Sequence, residues 1–551
     1  MPQLNSSAFV EGFIDCEKTQ GPIGLEEITG EVEQPKKQTQ DPLDSGIKIC
    51  HQDLFKKQQL TTTMKLLLFF VAFGSIMMGM DQGILATIEV FAMPDLKLND
   101  SQWSYIVSAF SLATAVGTIF AIPIGEYLGR KRALQISAAI CFGGSVMQTA
   151  AKKFSILLGG RYLLGIGMGL EAMNIPIYVA ECAPAHGRGG HLSIFNWFQM
   201  AGSPTAYVVA CIFIQVKPIW KWRFMAGAEC LAGLIQFCGL LLLPESPRWL
   251  IIWKKEKQLL SSWRRLRIDN AISRFELEKM KSDVEDDLKN RTTYPEAIKL
   301  IFTNRRVRTP FYIGAVLGMS SQFSGATAIG YYMITILEKL GLTVTTSVYA
   351  LLPINFWSTC WAGLPFFMLD RVGRRPLLMY TFPPQIIAII LSLTSFYVPL
   401  SKLSERAELY LIGLLLYGAF NNIGISAIQW VMAGELYETE VRSIGAAWSA
   451  FWIFASAFVT TFTFSKQVDA IGVEGVYGLY TGFTAFFMVV LFFIFPETKG
   501  RTLEEVKEVM NSGIAGIMEG NVVRGIQVMR DLMNKLKSRN NEYRTYVMEQ
   551  G

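Results

Sequence analysis

The sequence predicts an all-α membrane protein with about twelve transmembrane helices in two six-helix halves. The 551 residues are 51% hydrophobic and only 17% charged, whereas a soluble chain has about 25% charged residues. Long apolar runs recur along the chain, and a motif of an acid, a glycine and basic residues appears twice, six runs apart. Each run must be helical, because lipid leaves the polar groups of an open strand edge unsatisfied.

The apolar runs have the length of about 20 residues that a helix needs to cross a bilayer core of about 30 Å. They lie near 65–90, 104–126, 133–151, 155–180, 190–215, 222–243, 309–336, 345–369, 376–397, 408–434, 443–465 and 474–495. Segment 244–308, between the sixth and seventh runs, is rich in Lys, Arg and Glu. We expect short amphipathic helices there, lying under the bundle.

The runs divide the chain into five predicted regions. These are a disordered cytosolic N-terminal extension (1–64), an N-terminal six-helix half (65–243), a cytosolic linker with amphipathic helices (244–308), a C-terminal six-helix half (309–495) and a cytosolic tail (496–551). The first region is polar and mixes Pro, Gln, Glu and Lys. It is therefore expected to be disordered and shows no cleavable signal peptide.

Basic residues are concentrated at one end of the predicted bundle. The clusters at 130–132 and 371–375 follow the second and eighth runs, and the 244–308 segment is also basic. Because basic loops stay in the cytosol, both termini are predicted to be cytosolic. Asn99, in an Asn-Asp-Ser sequon, then lies outside and is a candidate glycosylation acceptor. The plasma membrane is the expected location, and a vacuolar or other internal membrane is the alternative.

The repeated motif indicates two homologous halves. Residues 125–132 read Gly-Glu-Tyr-Leu-Gly-Arg-Lys-Arg, and residues 369–375 read Leu-Asp-Arg-Val-Gly-Arg-Arg. Ordinary positive-inside loops explain the basic residues but not the acid at the same offset. Further motifs are Gly-Arg-Tyr-Leu-Leu-Gly-Ile-Gly-Met-Gly at 160–169, Pro-Ile-Tyr-Val-Ala-Glu at 176–181, Pro-Ala-His-Gly-Arg-Gly at 184–189, Pro-Glu-Ser-Pro-Arg-Trp-Leu at 244–250 and Pro-Glu-Thr-Lys-Gly-Arg-Thr at 496–502.

In their order and spacing, these motifs resemble the sugar porter branch of the major facilitator superfamily, as found in fungal sugar transporters. The resemblance covers roughly residues 65–510. It implies the major facilitator fold and a transporter that moves a sugar or polyol by alternating access.

The resemblance also implies that charged residues at the cytosolic helix ends pair across neighbouring helices and between the halves, and so hold the inner side shut. These gating residues are Glu126, Arg130, Glu181, Arg188, Glu245, Arg248, Asp370, Arg374, Glu435 and Arg442. The alternative is that they only set topology and cap helices. Glu126 and Tyr127 depart from the family's usual Asp-Arg pair, which would weaken the first-half cluster.

Four ionisable residues stand out inside the predicted spans, where each costs at least about 2.5 kcal/mol and is a functional candidate. They are Asp81, Arg161, Glu171 and Glu229. By resemblance, Asp81 occupies the acidic first-span position of proton-coupled members, Arg161 lies close to it, and Glu229 matches a sixth-span acid. These three are the expected proton-coupling residues, and a static buried ion pair is the alternative. Glu171 follows Arg161 by about 15 Å along the helix, and its role is open between a cavity contact and a partner on another helix.

A sugar site needs amide and hydroxyl partners for the hydroxyl groups and an aromatic face for the C–H surface. The resemblance and the neighbouring amides place these on Asn196, Gln199, Gln322, Thr327, Tyr331, Asn422 and Trp430. Trp430 is the expected stacking platform on a bent span, and Gln429 beside it is a further amide. The family's amide positions hold apolar Ile453 and Ala457 here. The alternatives are that the amides bind neighbouring helices and that Trp430 only packs.

The predicted function is secondary active transport of a sugar or polyol, with protons as the co-transported ion. A passive facilitator and a transporter-like sugar receptor are the alternatives. An enzyme is not expected, because the three histidines form no evident triad or metal set and no phosphate-binding loop occurs. No cofactor, metal or nucleic-acid partner is expected, the lipid bilayer is the surrounding solvent, and the expected oligomeric state is a monomer.

Overall fold

A computed structural model of the protein describes residues 60–184, 188–216, 218–268, 271–289, 294–438, 440–499, 503–527 and 530. Within these residues all regular secondary structure is helical. The predicted disordered extension lies outside the described residues as far as residue 59, and the first helix begins at Thr62.

Six long helices form the first half of the molecule. They are α1 (Thr62–Leu96), α2 (Asp100–Leu128), α3 (Arg130–Thr149), α4 (Phe154–Cys182), α5 (Arg188–Phe213) and α6 (Pro218–Leu242). Each covers one of the first six predicted spans. Helix α1 packs against α5 and α6, and α4 packs against α2 and α3, so α1 and α4 hold the half together.

Four shorter helices follow in the segment that links the halves. They are α7 (Pro247–Ile252), α8 (Glu256–Leu266), α9 (Ala271–Lys289) and α10 (Tyr294–Thr303). Trp249, Trp263 and Leu277 from three of them bury one another. The buried Arg267 donates to Glu276 and to the carbonyl oxygen of Cys182 at the end of α4. Helices therefore occupy most of the described part of this segment, and Arg267 anchors them to the bundle.

The second half contains helices that are broken more often than those of the first. They are α11 (Arg305–Phe323), α12 (Ala326–Tyr331), α13 (Met333–Leu340), α14 (Val344–Ala362), α15 (Pro365–Val372), α16 (Arg374–Thr394), α17 (Leu403–Ile423), α18 (Ile425–Glu435) and α19 (Arg442–Ile494). The seventh predicted span is interrupted at Gly325, where φ is +85°, and the tenth is interrupted at Gly424. Helix α20 (Leu503–Asn511) follows the bundle.

Seven helical segments in the described part are long and apolar enough to cross a membrane by themselves. One of them, α19, contains two predicted spans that meet at Gly472, where φ is +75° and ψ is 168°. Helices such as α3 and α11 begin with clusters of Arg and Lys, which lowers their hydropathy. Hydropathy alone therefore undercounts the helices of the two six-helix halves.

The repeated motif produces the same turn in both halves, between α2 and α3 and between α15 and α16. We call this side of the bundle the basic end, since it carries residues 130–132 and 371–375. Gly129 and Gly373 have φ values of +99° and +104°. The carboxylates of Glu245 and Glu497 accept hydrogen bonds from backbone N–H groups at the starts of α3 and α16. Each carboxylate thereby caps the helix that follows the glycine.

We predict that Gly129→Ala and Gly373→Ala each destabilise the protein by about 1–3 kcal/mol, because a non-glycine residue is strained at this φ. An added Cβ would also lie 2.5 Å from Glu245 Oε2 at position 129 and 2.8 Å from Glu497 Oε2 at position 373. Thermal unfolding of the detergent-purified protein measures the effect.

Gly143→Ala is the matched control for these variants. Gly143 lies inside α3, and an added Cβ meets nothing within 4 Å. This variant should be unchanged or more stable by about 0.5–1 kcal/mol, because alanine restricts the unfolded chain. Equal melting temperatures for all three variants would contradict the role given to the two turns.

Candidate functional site

A buried ion pair joins α1 and α4 in the first half. The side chains of Arg161 and Asp81 are 0% and 1% exposed, and Arg161 Nη2 lies 3.1 Å from Asp81 Oδ2, alongside a second contact from Nη1 to Oδ1. Arg161 Nε also donates to the carbonyl oxygen of Ile106 at 3.2 Å, and the guanidinium lies 4.8 Å from the centre of the Phe110 ring. Both charges are therefore compensated inside the bundle, as burial requires.

Glu229 lies close to this pair on α6. Its side chain is buried, faces Ser145 of α3, and is near both Asp81 and Arg161. The structure therefore brings together the three residues that the sequence predicted for proton coupling. They come from three different helices, and two of the three are acids around a single guanidinium.

Tyr331 connects this cluster to the second half. It lies at the end of α12, is buried, and donates from its hydroxyl to Asp81 Oδ2 at 2.8 Å. The sequence grouped Tyr331 with the substrate residues, whereas the structure places its hydroxyl on the acid of the ion pair. The separation of 250 positions between the two residues gives no local sequence signal for this contact.

Two further polar contacts join α1 to the second half and were missed from the sequence. Gln82 Nε2 donates to the carbonyl oxygen of Thr327 at 3.1 Å. Thr335 Oγ1 of α13 donates to Glu89 Oε2 at 2.8 Å, and Glu89 is buried. Glu89 is an ionisable residue within the first predicted span, which is the signal that could have identified it.

The predicted substrate residues of the second half mostly bind one another or their neighbours. Thr327 Oγ1 donates to Gln322 Oε1 at 2.5 Å, and Gln322 Nε2 donates to Ser321 Oγ at 3.2 Å. Asn422 Nδ2 donates to the carbonyl oxygen of Ser358 on α14 at 3.0 Å. These contacts stabilise the break between α11 and α12 and the packing of α17 on α14.

Three other candidate amides have a buried side-chain oxygen that is unused. The side-chain oxygens of Asn196 and Gln199 on α5, and of Gln429 on α18, accept no hydrogen bond from any described residue. Because buried polar atoms are normally hydrogen-bonded, these oxygens are available to the hydroxyl groups of a ligand.

Trp430 follows Gln429 on α18, after the break at Gly424. It is half-buried, and its ring centre lies 6.4 Å from that of Phe454 on α19. It packs on a cluster that also contains Met77 of α1 and Phe110 of α2. Trp430 therefore lies between the two halves.

The first-half ion-pair network lies at the basic end. Arg130 Nη2 is 3.1 Å from Glu181 Oε1, which joins the start of α3 to α4. Ser246 Oγ donates to the same carboxylate at 2.5 Å. Burial raises the pKa of Glu245, although the backbone N–H groups of Lys131 and Ser246 donate to it.

The second half repeats this network. Arg374 Nη2 is 2.8 Å from Glu435 Oε1, and Thr498 Oγ1 donates to Glu435 Oε2 at 2.8 Å. The Arg-Glu-hydroxyl arrangement therefore ties α16, α18 and the end of α19 together, as its counterpart ties α3, α4 and the residues after α6.

Each of these networks lies within its own half, whereas pairs between the halves were also expected. Arg442, at the start of α19 in the second half, lies near Arg248 and Asp287 of the linker. Arg248 itself pairs with Asp287. The backbone carbonyl of Glu126 accepts from Trp249 Nε1 at 2.7 Å.

Three predicted site residues lie outside these networks or outside the described part of the chain. The side chains of Arg188 and Asp370 lie outside the described part of the chain. Asn99 is exposed at the end of the bundle opposite the basic end, where its side chain caps α2 by accepting from the backbone N–H of Gln102 at 2.8 Å.

The chain is similar to known transporters. Residues 67–510 match the family model described as "Sugar (and other) transporter". Myo-inositol transporter FST1 of Gibberella moniliformis is 30% identical over 467 residues, which cover 83% of this chain and 80% of that protein. Myo-inositol transporter 1 of Cryptococcus neoformans is 28% identical over 495 residues, which cover 85% of this chain and 84% of that protein.

Solved structures show the same fold. The proton:xylose symporter XylE bound to 6-bromo-6-deoxy-D-glucose superimposes with a TM-score of 0.68 at 21% sequence identity, covering 82% of this chain and 99% of that one. The predicted major facilitator fold is confirmed, and the protein is an integral, multi-pass membrane protein. Its relatives are transporters, so the prediction that it is not an enzyme is also confirmed. The chain belongs to the sugar porter family of the major facilitator superfamily.

Proposed function

We propose that the protein carries a polyol or sugar across a membrane together with protons, by alternating access of its two halves. The observation that carries this proposal is the Asp81–Arg161 pair, which lies beside Glu229 and accepts a hydrogen bond from Tyr331 of the other half. A proton on Asp81 would weaken the ion pair and remove the charged acceptor of Tyr331. Protonation would thus change a contact between the halves, which is what coupling of proton and conformational equilibria requires.

The proposed substrate is a small ring that bears several hydroxyl groups. The free oxygens of Asn196, Gln199 and Gln429 can accept hydrogen bonds from such hydroxyls, and Trp430 offers a flat face. The two fungal relatives are named for myo-inositol. A cyclic polyol is therefore the first candidate, and a pentose or hexose is the second.

The orientation and the location follow as further parts of the proposal. The basic end faces the cytosol, since basic loops are retained there. Both termini are then cytosolic, Asn99 lies outside as a glycosylation acceptor, and the five regions divide at the positions predicted from the sequence. The plasma membrane is the proposed location, and a monomer is the proposed transporting unit.

We predict that Asp81→Asn abolishes substrate accumulation driven by a pH gradient and leaves substrate exchange at equal pH, because the amide keeps the shape but cannot carry the proton. Uptake of labelled sugars and polyols into reconstituted vesicles, with and without an imposed pH gradient, measures both activities. Asp95→Asn is the control on the same helix, since Asp95 pairs with Arg223 outside the buried cluster.

The same assay separates the alternatives. Uptake that ignores the gradient in the wild-type protein would indicate a passive facilitator. Binding without any uptake would indicate a receptor. Accumulation by Asp81→Asn at the wild-type level would remove this residue from the coupling mechanism.

We expect Trp430→Ala to weaken substrate binding about tenfold, which corresponds to about 1.4 kcal/mol. Trp430→Phe should keep part of the affinity, because stacking survives without the indole N–H. Calorimetry on the purified protein gives the dissociation constants. Trp220→Ala is the control, since Trp220 is 53% exposed on α6. An equal loss of affinity in Ala and Phe variants with lowered melting temperatures would support a packing role instead.

We predict that Arg374→Ala and Glu435→Ala favour the conformation open at the basic end. The pair ties α16 to α18 within the second half. On the proposed mechanism it holds these helix ends in the arrangement that closes the basic end, so its loss destabilises the closed state more than the open state. The measurement is labelling of an introduced cysteine, Asn196→Cys, by a membrane-impermeant reagent in a cysteine-free background.

Arg375→Ala is the control for this experiment. Its guanidinium donates to the carbonyl oxygen of Phe492 and lies outside the Arg374–Glu435 pair. If labelling from the basic end does not rise above this control, the ion pair serves topology and helix capping alone.

A further inference from the structure

A further buried carboxylate lies in the first half, between the Asp81 pair and the basic end. Glu171 of α4 is 2% exposed and forms no ion pair with any residue that the structure describes. It is not part of the networks at the basic end. An unpaired carboxylate at this depth needs a specific explanation, because a buried charge without a partner is costly.

Three helices close around Glu171 with uncharged groups. Ser137 Oγ of α3 lies 3.4 Å from Glu171 Oε1. Gln236 of α6 lies beside the carboxylate without completing a hydrogen bond of good geometry. On α1, a Cβ added to Gly74 would overlap both Glu171 Oε2 and Gln236 Nε2. The glycine thus leaves the space in which these two side chains lie.

This small pocket has hydrogen-bonding capacity that the described residues do not use. Glu171 Oε2 and both polar atoms of Gln236 are buried without a partner there. Gln236 is 0% exposed, so bulk water does not satisfy it. The amide of Gln236 next to the carboxylate also carries an acceptor oxygen without a partner. A proton on the carboxylate would neutralise its charge and provide an O–H donor for such an acceptor.

A row of small polar side chains on α3 lies between Glu171 and the proton-coupling cluster. Ser137, Cys141 and Ser145 are spaced four residues apart on α3 and span about 12 Å. Ser137 contacts Glu171, Ser145 faces Glu229, and the Cys141 thiol lies near both acids. Because α3 starts at the basic end, Ser137 is nearer to that end than Ser145.

We propose that Glu171 is a second proton-binding carboxylate, which accepts a proton released from the Asp81–Glu229 cluster and holds it on the side of the basic end. This inference rests on the proton-coupled function proposed above and adds a step to it. The transfer breaks one carboxylic O–H bond in the cluster and forms one on Glu171, so that the proton is conserved and nothing is oxidised or reduced. Asp81 has a guanidinium partner and Glu171 has none, so the two acids hold a proton in different states of the cycle.

A metal cation is a less suitable ligand for this pocket. A hard cation such as Ca²⁺ takes roughly six to eight oxygen ligands. The side chains around the pocket offer the carboxylate of Glu171, the amide oxygen of Gln236 and the hydroxyl of Ser137. The backbone of Gly74 fills the remaining side.

The test is infrared difference spectroscopy of the purified, full-length protein between two pH values, which requires no transport. We expect a C=O band of a protonated carboxylic acid that titrates with pH and is lost in Glu171→Gln. The band should persist in Asp81→Asn and in Glu285→Gln, a control acid exposed on the linker helix α9. Ser137→Ala, which removes a contact but keeps the acid, should shift the pH midpoint of the band.

The outcomes distinguish this inference from the proposed function. A band that remains unchanged in Glu171→Gln overturns the inference, whatever the transport assays show. If Glu171→Gln does not fold, an unshifted midpoint in Ser137→Ala overturns it as well. A band that responds to Na⁺ at fixed pH, rather than to pH, overturns the proton as the ligand. Failure of gradient-driven uptake in the wild-type protein, with the Glu171 band present, contradicts the proposed symport but leaves the proton site.

Discussion

The pairing of charge inside lipid is the constraint on which the rest of this structure depends. The buried Asp81–Arg161 pair satisfies it by joining α1 to α4, and the helices around it approach closely enough to exclude lipid. At the crossing of α1 and α5, a Cβ on Gly79 would overlap the carbonyl oxygen of Gln199, and one on Gly202 would overlap that of Ile76. Gly79 lies two residues before Asp81, so the same stretch of α1 supplies both the acid and the close packing. This packing places the candidate substrate residue Gln199 one helix away from the ion pair.

The two halves share their architecture at the basic end but differ in their interiors. The first half buries the ionisable residues in nearly continuous helices. The second half has helices broken at Gly325, Gly424 and Gly472 and contributes hydroxyl groups, such as that of Tyr331, to the contact between halves. The buried ionisable residues of the Asp81 cluster therefore lie in the first half, whereas the helix breaks lie in the second.

The sequence predicted the features that depend on a local residue pattern or on the free-energy cost of burying a charge. Apolar run length located the helices, the repeated motif located the paired turns, and the cost of a lone charge required a partner for Asp81. It could not predict which distant groups meet. Tyr331 was assigned to the substrate, and the contact of Glu89 with Thr335 was missed, because residues about 250 positions apart share no periodicity. The roles of the amides could not be predicted for the same reason. An amide side chain can bind either a neighbouring helix or a ligand, and only its spatial neighbours decide which.

The apolar substitutions in the second half have a structural consequence for what the site can bind. Ile453 and Ala457 of α19 are each 3% exposed. A Cβ on Gly318 of α11 would lie 3.1 Å from Ile453, so α11 and α19 are in direct apolar contact where the family's amides would reach a ligand. Ile453 and Ala457 therefore close this side with carbon. Among the candidate substrate amides, the side-chain oxygens that have no partner in the described residues lie on α5 and α18 instead.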